Sequence, residues 1–379
     1  MIPLLPASIS LCVCAGVAAA GAVCTRIMLP DLARSRFARG FAIALGATIL
    51  AAHAVWHFAP LRFAHHGVTV ASILLCLMPL VVLSIPIAAM LRRTLRGSAT
   101  GNKISRRAFV AAAPGAAMST GLSGFIAAER PPDVPLISFR WADLAPSLHG
   151  LQILQLSDLH LGVERRVEDL EALLDSLPAP PDLVVFTGDI ADDPRLVEPA
   201  LTAAVRFGPQ LGVYACLGNH EYFYDVRRAY SAFARVRDAR LLVSEGELVH
   251  AGGAKLWIAG ANDPVDNRHD PTPFLTRSID RALRGAPPDA FKLLLCHRPE
   301  GFVPAHERGV ELTLAGHTHG GQIGFNGRSA FERIWPERYL WGRYSRGRSQ
   351  LYTTSGFGHW FPFRILCPTE APLVRLVVR

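Results

Sequence analysis

The hexapeptide GHTHGG, residues 316–321, sets two histidines two positions apart, His317 and His319, between glycines. On an extended segment that ends in a loop, an i, i+2 pair aims both imidazoles toward one point, and Gly316, Gly320 and Gly321 let the backbone turn without side-chain clashes. That arrangement suits a metal, although two of the chain's 14 histidines falling together in a surface turn would look the same in isolation. Four further segments repeat the theme. Asp158 and His160 close an apolar, strand-like run as SDLH, and Asp189 closes another in TGDIAD. Asn219 and His220 close a third in LGNHE, and His297 closes a fourth in LLLCHRP. A single polar strand end is ordinarily a cap or a turn residue; five, in the order DxH, GDxxD, GNHE, H and GHTH, point to a shared site.

The residue types say which chemistry. Two divalent metals about 3.5–4 Å apart need one carboxylate able to bridge them, neutral N and O donors around each, and open positions for water and substrate. Asp189 is the natural bridge, since its carboxylate has two oxygens and Gly188 leaves the approach clear. Mixed Asp, His and Asn ligation without thiolate favours Zn, Mn or Fe over a structural cysteine–zinc site. Cys216, Cys296 and Cys367 lie in or beside apolar segments with no CxxC among them, so buried free thiols are expected.

These side chains need a scaffold that brings strand ends together. ERPPDVP, residues 129–135, cannot continue a helix and marks a linker. Beyond it LQILQLSD, DLVVFTGD and GVYACLGNH read as strands, with helix-like spacing in VEDLEALLDSL and PRLVEPALTAAVRF between them. LLVSEGELVH, AKLWIAGAND, the helical FLTRSIDRAL, FKLLLCH, ELTLAGHTH, LYTTSG and PLVRLVV complete the series. Strands alternating with helices predict an α/β fold whose chemistry gathers beyond the carboxyl ends of the strands.

The five motifs, in order, resemble those of the calcineurin-like binuclear metallophosphoesterases over about residues 150–379. The resemblance implies a β-sandwich flanked by helices, in α/β/β/α layers. It also implies that Asp158, His160, Asp189 and His319 hold one metal and that Asp189, Asn219, His297 and His317 hold the other. His220 would be the catalytic non-ligand, standing near the phosphate to stabilise the transition state or protonate the leaving oxygen. A water or hydroxide between the two divalent ions (Mn, Zn or Fe) would attack phosphorus in line. Asp192 and Glu221 would orient the ligands. The tail GHTHGGQIGF with RYLWGRYSRGRSQLYTTSGFGHWFPFR and PTEAPLVRL is similar to the bacterial membrane-associated branch, which includes cleavage of the pyrophosphate of UDP-2,3-diacylglucosamine. In that tail, Phe357, His359, Trp360, Phe361 and Phe363 form either sheet packing or an apolar lip for acyl chains. Arg298, next to His297, is either a fork donor to phosphate or half of a surface ion pair.

Composition adds a second expectation. The chain is 50 % hydrophobic, and apolar runs at about 2–24, 41–60, 68–91 and, more weakly, 108–128 approach the ~20 residues that cross a bilayer. Residues 1–130 carry twelve Lys and Arg against two Asp and Glu, so the overall +8 belongs to that part and gives no sign of nucleic-acid binding. The organisation expected is three spans within 1–104 and a twin-arginine-like SRRAFV, a fourth span and a linker within 105–135, followed by a catalytic domain over 136–379. By the positive-inside rule this would be a multi-pass protein of a bacterial inner membrane with an extracytoplasmic catalytic domain, cytoplasmic if the fourth run does not span. The expected partners are the bilayer and a phosphodiester or pyrophosphate substrate, with lipid and cell-envelope esters among the candidates. The competing reading is a metal-binding membrane sensor without turnover; against it, the only strongly ionisable groups inside the apolar runs are His53 and His57, spaced i, i+4, which read as interfacial histidines near His65 and His66 more readily than as a metal or proton site.

Overall fold

In a computed structural model of the protein, the residues described are 4–28, 34, 36–58, 82 and 123–379, without 163–164, 266–269 and 360–361. The chain separates into two compact units, one of residues 1–129 with 361–363 and one of residues 130–360 with 364–379.

In the first unit, helices α1 (Leu4–Met28) and α2 (Arg36–Phe58) pack along a seam that buries Cys14 and Ile49 with Leu11, Val17 and Leu45 around them. His53 is buried, and its Nδ1 pairs with the Ile49 carbonyl at 2.7 Å. Among the described residues no helix is long and apolar enough to cross a membrane. This overturns two expectations: the transmembrane helical region placed before the α/β fold, and the multi-pass inner-membrane localisation. The physical reasons lie in the helices themselves. The run at 2–24 falls in α1, whose first turn contains Pro6 and whose apolar residues are diluted by Ser, Gly and Ala. The run at 41–60 falls in a helix that begins with Arg36 and Arg39 and carries His53 and His57. The run at 68–91 lies outside the described residues apart from 82, and the run at 108–128 lies outside them apart from 123–128.

The second unit is mixed α/β. Its first sheet contains β1 (Leu136–Trp141), β2 (Gln152–Leu156), β3 (Leu183–Thr187), β4 (Val213–Cys216), β5 (Ala239–Leu241) and β14 (Leu373–Val378), in the order β1-β14-β2-β3-β4-β5. β2 to β5 run parallel, and β14 pairs antiparallel with β2 and parallel with β1. The second sheet contains β6 (Glu245–Ala251), β7 (Ala254–Gly260), β8 (Phe291–Leu295), β9 (Leu312–Ala315), β12 (Gly342–Arg346) and β13 (Ser349–Thr353), in the order β12-β13-β9-β8-β7-β6. Its four central strands are parallel and both edge pairs are antiparallel. A two-residue ladder, β10 (Gly324–Phe325) with β11 (Arg328–Ser329), stands apart.

Side-chain alternation decides how the layers stack. Ile153, Leu183 and Val185 of the first sheet meet Leu256, Ile258, Leu293, Leu295, Leu312 and Leu314 of the second in one continuous core. The opposite face of the first sheet, with Leu154, Val184 and Phe186, is covered by α3 (Val167–Ser176), α4 (Val197–Arg206) and α6 (Val226–Arg235) through Leu170, Leu201 and Phe233. Leu294 on the outer face of the second sheet meets Leu275 and Ile279 of α7 (Thr272–Ala282), and Ala305 of α8 (Phe302–Glu307) joins the same cluster. The parallel strands are thus apolar on both faces, and polar side chains accumulate where the strands end.

The sheet–sheet layer should dominate stability. Leu293→Ala removes a fully buried side chain from its centre. It should cost about 2–5 kcal/mol, read as a lower urea midpoint at unchanged slope.

Candidate metal centre

Five of the parallel strands deliver their polar termini to one place. Asp158 and His160 follow β2, Asp189 follows β3, Asn219 opens the short helix α5 (Asn219–Tyr224) after β4, His297 follows β8, and His317 and His319 follow β9. The chain reverses sharply at each end: Asp158, His160, Asp189, His317 and His319 all have φ between 48° and 68°. A non-glycine residue in the left-handed region costs on the order of 1–3 kcal/mol, so five in one site mark a geometry imposed by its surroundings. Gly188, at φ 87°, has no room for a side chain, because a Cβ there would lie 2.5 Å from His297 Nδ1 and 2.7 Å from the Gly218 backbone.

All eight residues anticipated from the motifs lie in this cluster, and their contacts divide into two groups around Asp189. On one side, Asp158 Oδ1 lies 3.5 Å from His319 Nε2, which faces His160 Nε2 at 3.2 Å. On the other, His297 Nε2 is 3.2 Å from each of Asp189 Oδ2, Asn219 Oδ1 and His317 Nδ1. Asp189 Oδ2 is also 3.9 Å from His160 Nε2 and 4.0 Å from His220 Nε2. It therefore stands between the two groups.

Hydrogen bonds around the cluster set which nitrogen is free. His297 Nδ1 is 2.8 Å from the Thr187 carbonyl, which can only accept, so Nδ1 carries the proton and Nε2 presents a lone pair. Asp192 Oδ1 accepts from His160 Nδ1 at 2.9 Å and from His220 Nδ1 at 2.8 Å, leaving both Nε2 atoms directed inward. Glu221 accepts from the backbone N–H groups of Gly218, Asp189 and Ile190 at 2.8, 3.0 and 2.7 Å, tying the loops after β3 and β4 together. Asp158 is held by the Ser157 hydroxyl at 2.6 Å and the His317 amide at 3.0 Å.

Lone pairs facing one another at 3.2 Å inside a buried site need a proton or a metal ion between them. Asp158–His160–His319 and Asp189–His297–His317 each present three donor atoms close enough to hold one. The donors are carboxylate, amide oxygen and imidazole, without sulfur, so the residues present fit divalent metal.

Several side chains have roles that the motifs did not disclose. Arg298 is neither at the surface nor turned to the site: it is buried and forks Asp263, with Nε 2.8 Å from Oδ2. Arg364 is wholly buried, donates to the carbonyls of Ser355 and Gly358 at 2.8 and 2.6 Å, and lies 3.4 Å from His319 Nδ1. Only its place in the PFR segment distinguishes it in the sequence from the many other arginines. Glu370 Oε1 gathers donors from Trp341, Tyr352, Thr354 and the Ser355 amide, holding the segment that passes behind Asp158. Of the aromatic tail, Phe357, His359 and Phe363 are buried, which is packing and not an exposed lip; Trp360 and Phe361 lie outside the described residues. Cys216, Cys296 and Cys367 are buried free thiols.

A family model, calcineurin-like phosphoesterase, matches residues 151–321, a span that contains every one of these candidate residues. The uncharacterized metallophosphoesterase YkuE of Bacillus subtilis (strain 168) is 30 % identical over 243 residues, covering 60 % of this chain and 79 % of the relative. The chain belongs to the calcineurin-like phosphoesterases. Like them it is a hydrolase acting on phosphoester bonds. Phosphodiesterase YaeI of Escherichia coli (strain K12) is 24 % identical, covering 72 % of this chain and 100 % of the relative. A Bos taurus transmembrane protein with metallophosphoesterase domain is 32 % identical over 53 % of this chain, which spans about half of that relative's length (47 %).

Within this phosphoesterase the site's protons follow from its carboxylates. Burial opposes protonation of His160, but Asp192, Asp189 and Asp158 outweigh it and raise the imidazole to about 9. Burial likewise opposes protonation of His297, and chiefly Asp189 raises it to about 10. His317 and His319 are pushed well below the ordinary histidine range, first by burial and then by the charge on His297 and His160 respectively. Without metal, His160 and His297 therefore stabilise the fold by holding protons below about pH 6.5, and lose that contribution as pH rises toward 9–10. Metal must displace those protons. Loading metal-free protein with Zn2+ at neutral pH should release about two protons and bind more tightly as pH rises. Calorimetry in buffers of different ionisation enthalpy checks this, and a heat independent of buffer would contradict it.

Proposed function

We propose that this phosphoesterase is a binuclear metal-dependent phosphodiesterase. One metal would lie among Asp158, His160, Asp189 and His319, the other among Asp189, Asn219, His297 and His317, and His220 would be the catalytic acid. The observation that carries the reading is the position of Asp189, whose Oδ2 faces His297 Nε2 at 3.2 Å and His160 Nε2 at 3.9 Å, between two donor groups that each lack only a cation. A pair of divalent ions there, Mn, Zn or Fe, would supply Lewis acidity to the phosphoryl oxygens and a water of lowered pKa.

The protein's own groups account for the rest. Thr187 and Asp192 fix the tautomers of His297 and His160, so their Nε2 lone pairs need no reorientation when metal or substrate arrives. His220 is held at the open side, its side chain 22 % exposed like that of Asp192, and His317 is the other part-buried imidazole of the cluster. With Nδ1–H given to Asp192, its Nε2 is the atom that faces substrate, and a proton held there passes to the departing alkoxide. The His220 backbone N–H donates to Asp189 Oδ1 at 2.9 Å, so the acid and the central carboxylate are positioned as one unit. The relationship to a phosphodiesterase supports a diester as the substrate class.

The test uses protein loaded with Mn2+ or Zn2+. Bis(p-nitrophenyl) phosphate should be hydrolysed faster than p-nitrophenyl phosphate, and EDTA should abolish turnover. His220→Ala should lower kcat by about 10²-fold on a diester with an alkyl leaving group, and much less on bis(p-nitrophenyl) phosphate, whose leaving anion needs no proton, with metal content unchanged. Absence of turnover in the loaded protein would favour a non-catalytic metal-binding module. Preferential cleavage of a UDP-linked lipid would move the substrate class to pyrophosphates.

A further inference from the structure

The opening beside His220 is not lined by polar groups alone. Helix α5 begins at Asn219, and residues spaced i, i+3 and i+4 share one face of a helix, which sets His220, Phe223 and Tyr224 side by side. The rings confirm it: the Phe223 and Tyr224 centroids lie 5.8 and 5.7 Å from that of His220, at interplanar angles of 53° and 58°. The third aromatic of the segment, Tyr222, turns elsewhere and donates its hydroxyl to Asn262 Oδ1 at 2.6 Å. Phe223 and Tyr224 nevertheless remain 55 % and 52 % exposed. Two large rings half in solvent at the mouth of a buried polar site are not explained by core packing. Burial raises the Tyr224 phenol above the ordinary tyrosine range, and the Asp192 and Asp189 carboxylates raise it further.

Resting on the reading that His220 Nε2 faces the leaving oxygen, we propose that Phe223 and Tyr224 form a platform for the leaving group, making phosphodiesters whose leaving group carries a planar aromatic ring the favoured substrates. The oxygen that takes the proton from His220 is bonded to the part of the substrate that departs, so that part must pass over the two rings next to His220. A planar group there gains stacking contact, which is worth about tenfold or more in binding for a base on an aromatic side chain. A saturated group of equal bulk fills the same space without that contact.

The experiment compares benzyl methyl phosphate with cyclohexylmethyl methyl phosphate, whose leaving alcohols are similar in size and acidity, using metal-loaded full-length protein. Wild type should favour the benzyl ester by about tenfold in kcat/KM. In the double variant Phe223→Ala/Tyr224→Ala the ratio should fall to about one, and Tyr224→Phe should retain it. Turnover of both esters at equal rates by wild type overturns the platform and leaves the phosphodiesterase reading standing. Equal losses on both esters in the double variant, with the ratio retained, also overturn it, because the rings would then only support His220. If wild type cleaves neither ester nor bis(p-nitrophenyl) phosphate, the phosphodiesterase reading fails and the platform with it.

Discussion

Asp189 is the constraint on which the site turns. Its carboxylate is buried, one oxygen receives the His220 amide, and the other faces imidazole nitrogens from three different loops. Coulomb attraction from those imidazoles holds it ionised despite burial, which would otherwise raise its pKa. To bring His160, His220 and His297 onto one carboxylate, the strands β2, β3, β4 and β8 must end at the same level, and the backbone must turn left-handed at Asp158, His160, Asp189, His317 and His319. None of those turns is favourable locally.

The strain is tolerated because the layers beneath are rigid. Parallel strands apolar on both faces, packed sheet to sheet and covered by helices, leave the chain ends little freedom. Around the site a second level of buried polar contacts replaces solvent: Glu221 on three amides, Asp192 between two imidazoles, Arg298 on Asp263, Glu370 on four donors, and Arg364 on carbonyls behind His319. Truncating one member of a buried pair such as Arg298–Asp263 typically costs about 3–5 kcal/mol, since the other charge is left without a partner. Such a network gives the ligand atoms a single arrangement before anything binds.

Function follows from what this shell leaves open. Most of the cluster is buried, and the part-exposed edge is formed by His220, His317 and Asp192, with the aromatic face of α5 alongside His220. A substrate would approach from that side. Membership of the phosphoesterase family and this one-sided opening agree on hydrolysis at phosphorus. Among the described residues the N-terminal helices form a pair with its own buried seam.

The residues that cluster at the strand ends were legible in the sequence because a metal site requires particular donor atoms at short spacings. Asp158, His160, Asp189, Asn219, His220, His297, His317 and His319 each follow an apolar run in a recognisable motif. The alternation of strands and helices was legible for a similar reason, since burial on both faces leaves continuous apolar runs. Hydrophobicity alone misled for the runs at 2–24 and 41–60, which in the described residues form two helices packed along a buried seam. Arg298 shows the same limit at one residue: its sequence position beside His297 left a phosphate contact and a surface ion pair both open, and only the fold put Asp263, distant in sequence, against its buried guanidinium. The outward rings of Phe223 and Tyr224 and the burial of Arg364 were likewise decided by tertiary structure. A side chain's partners depend on which elements converge on it, and no local spacing encodes that convergence.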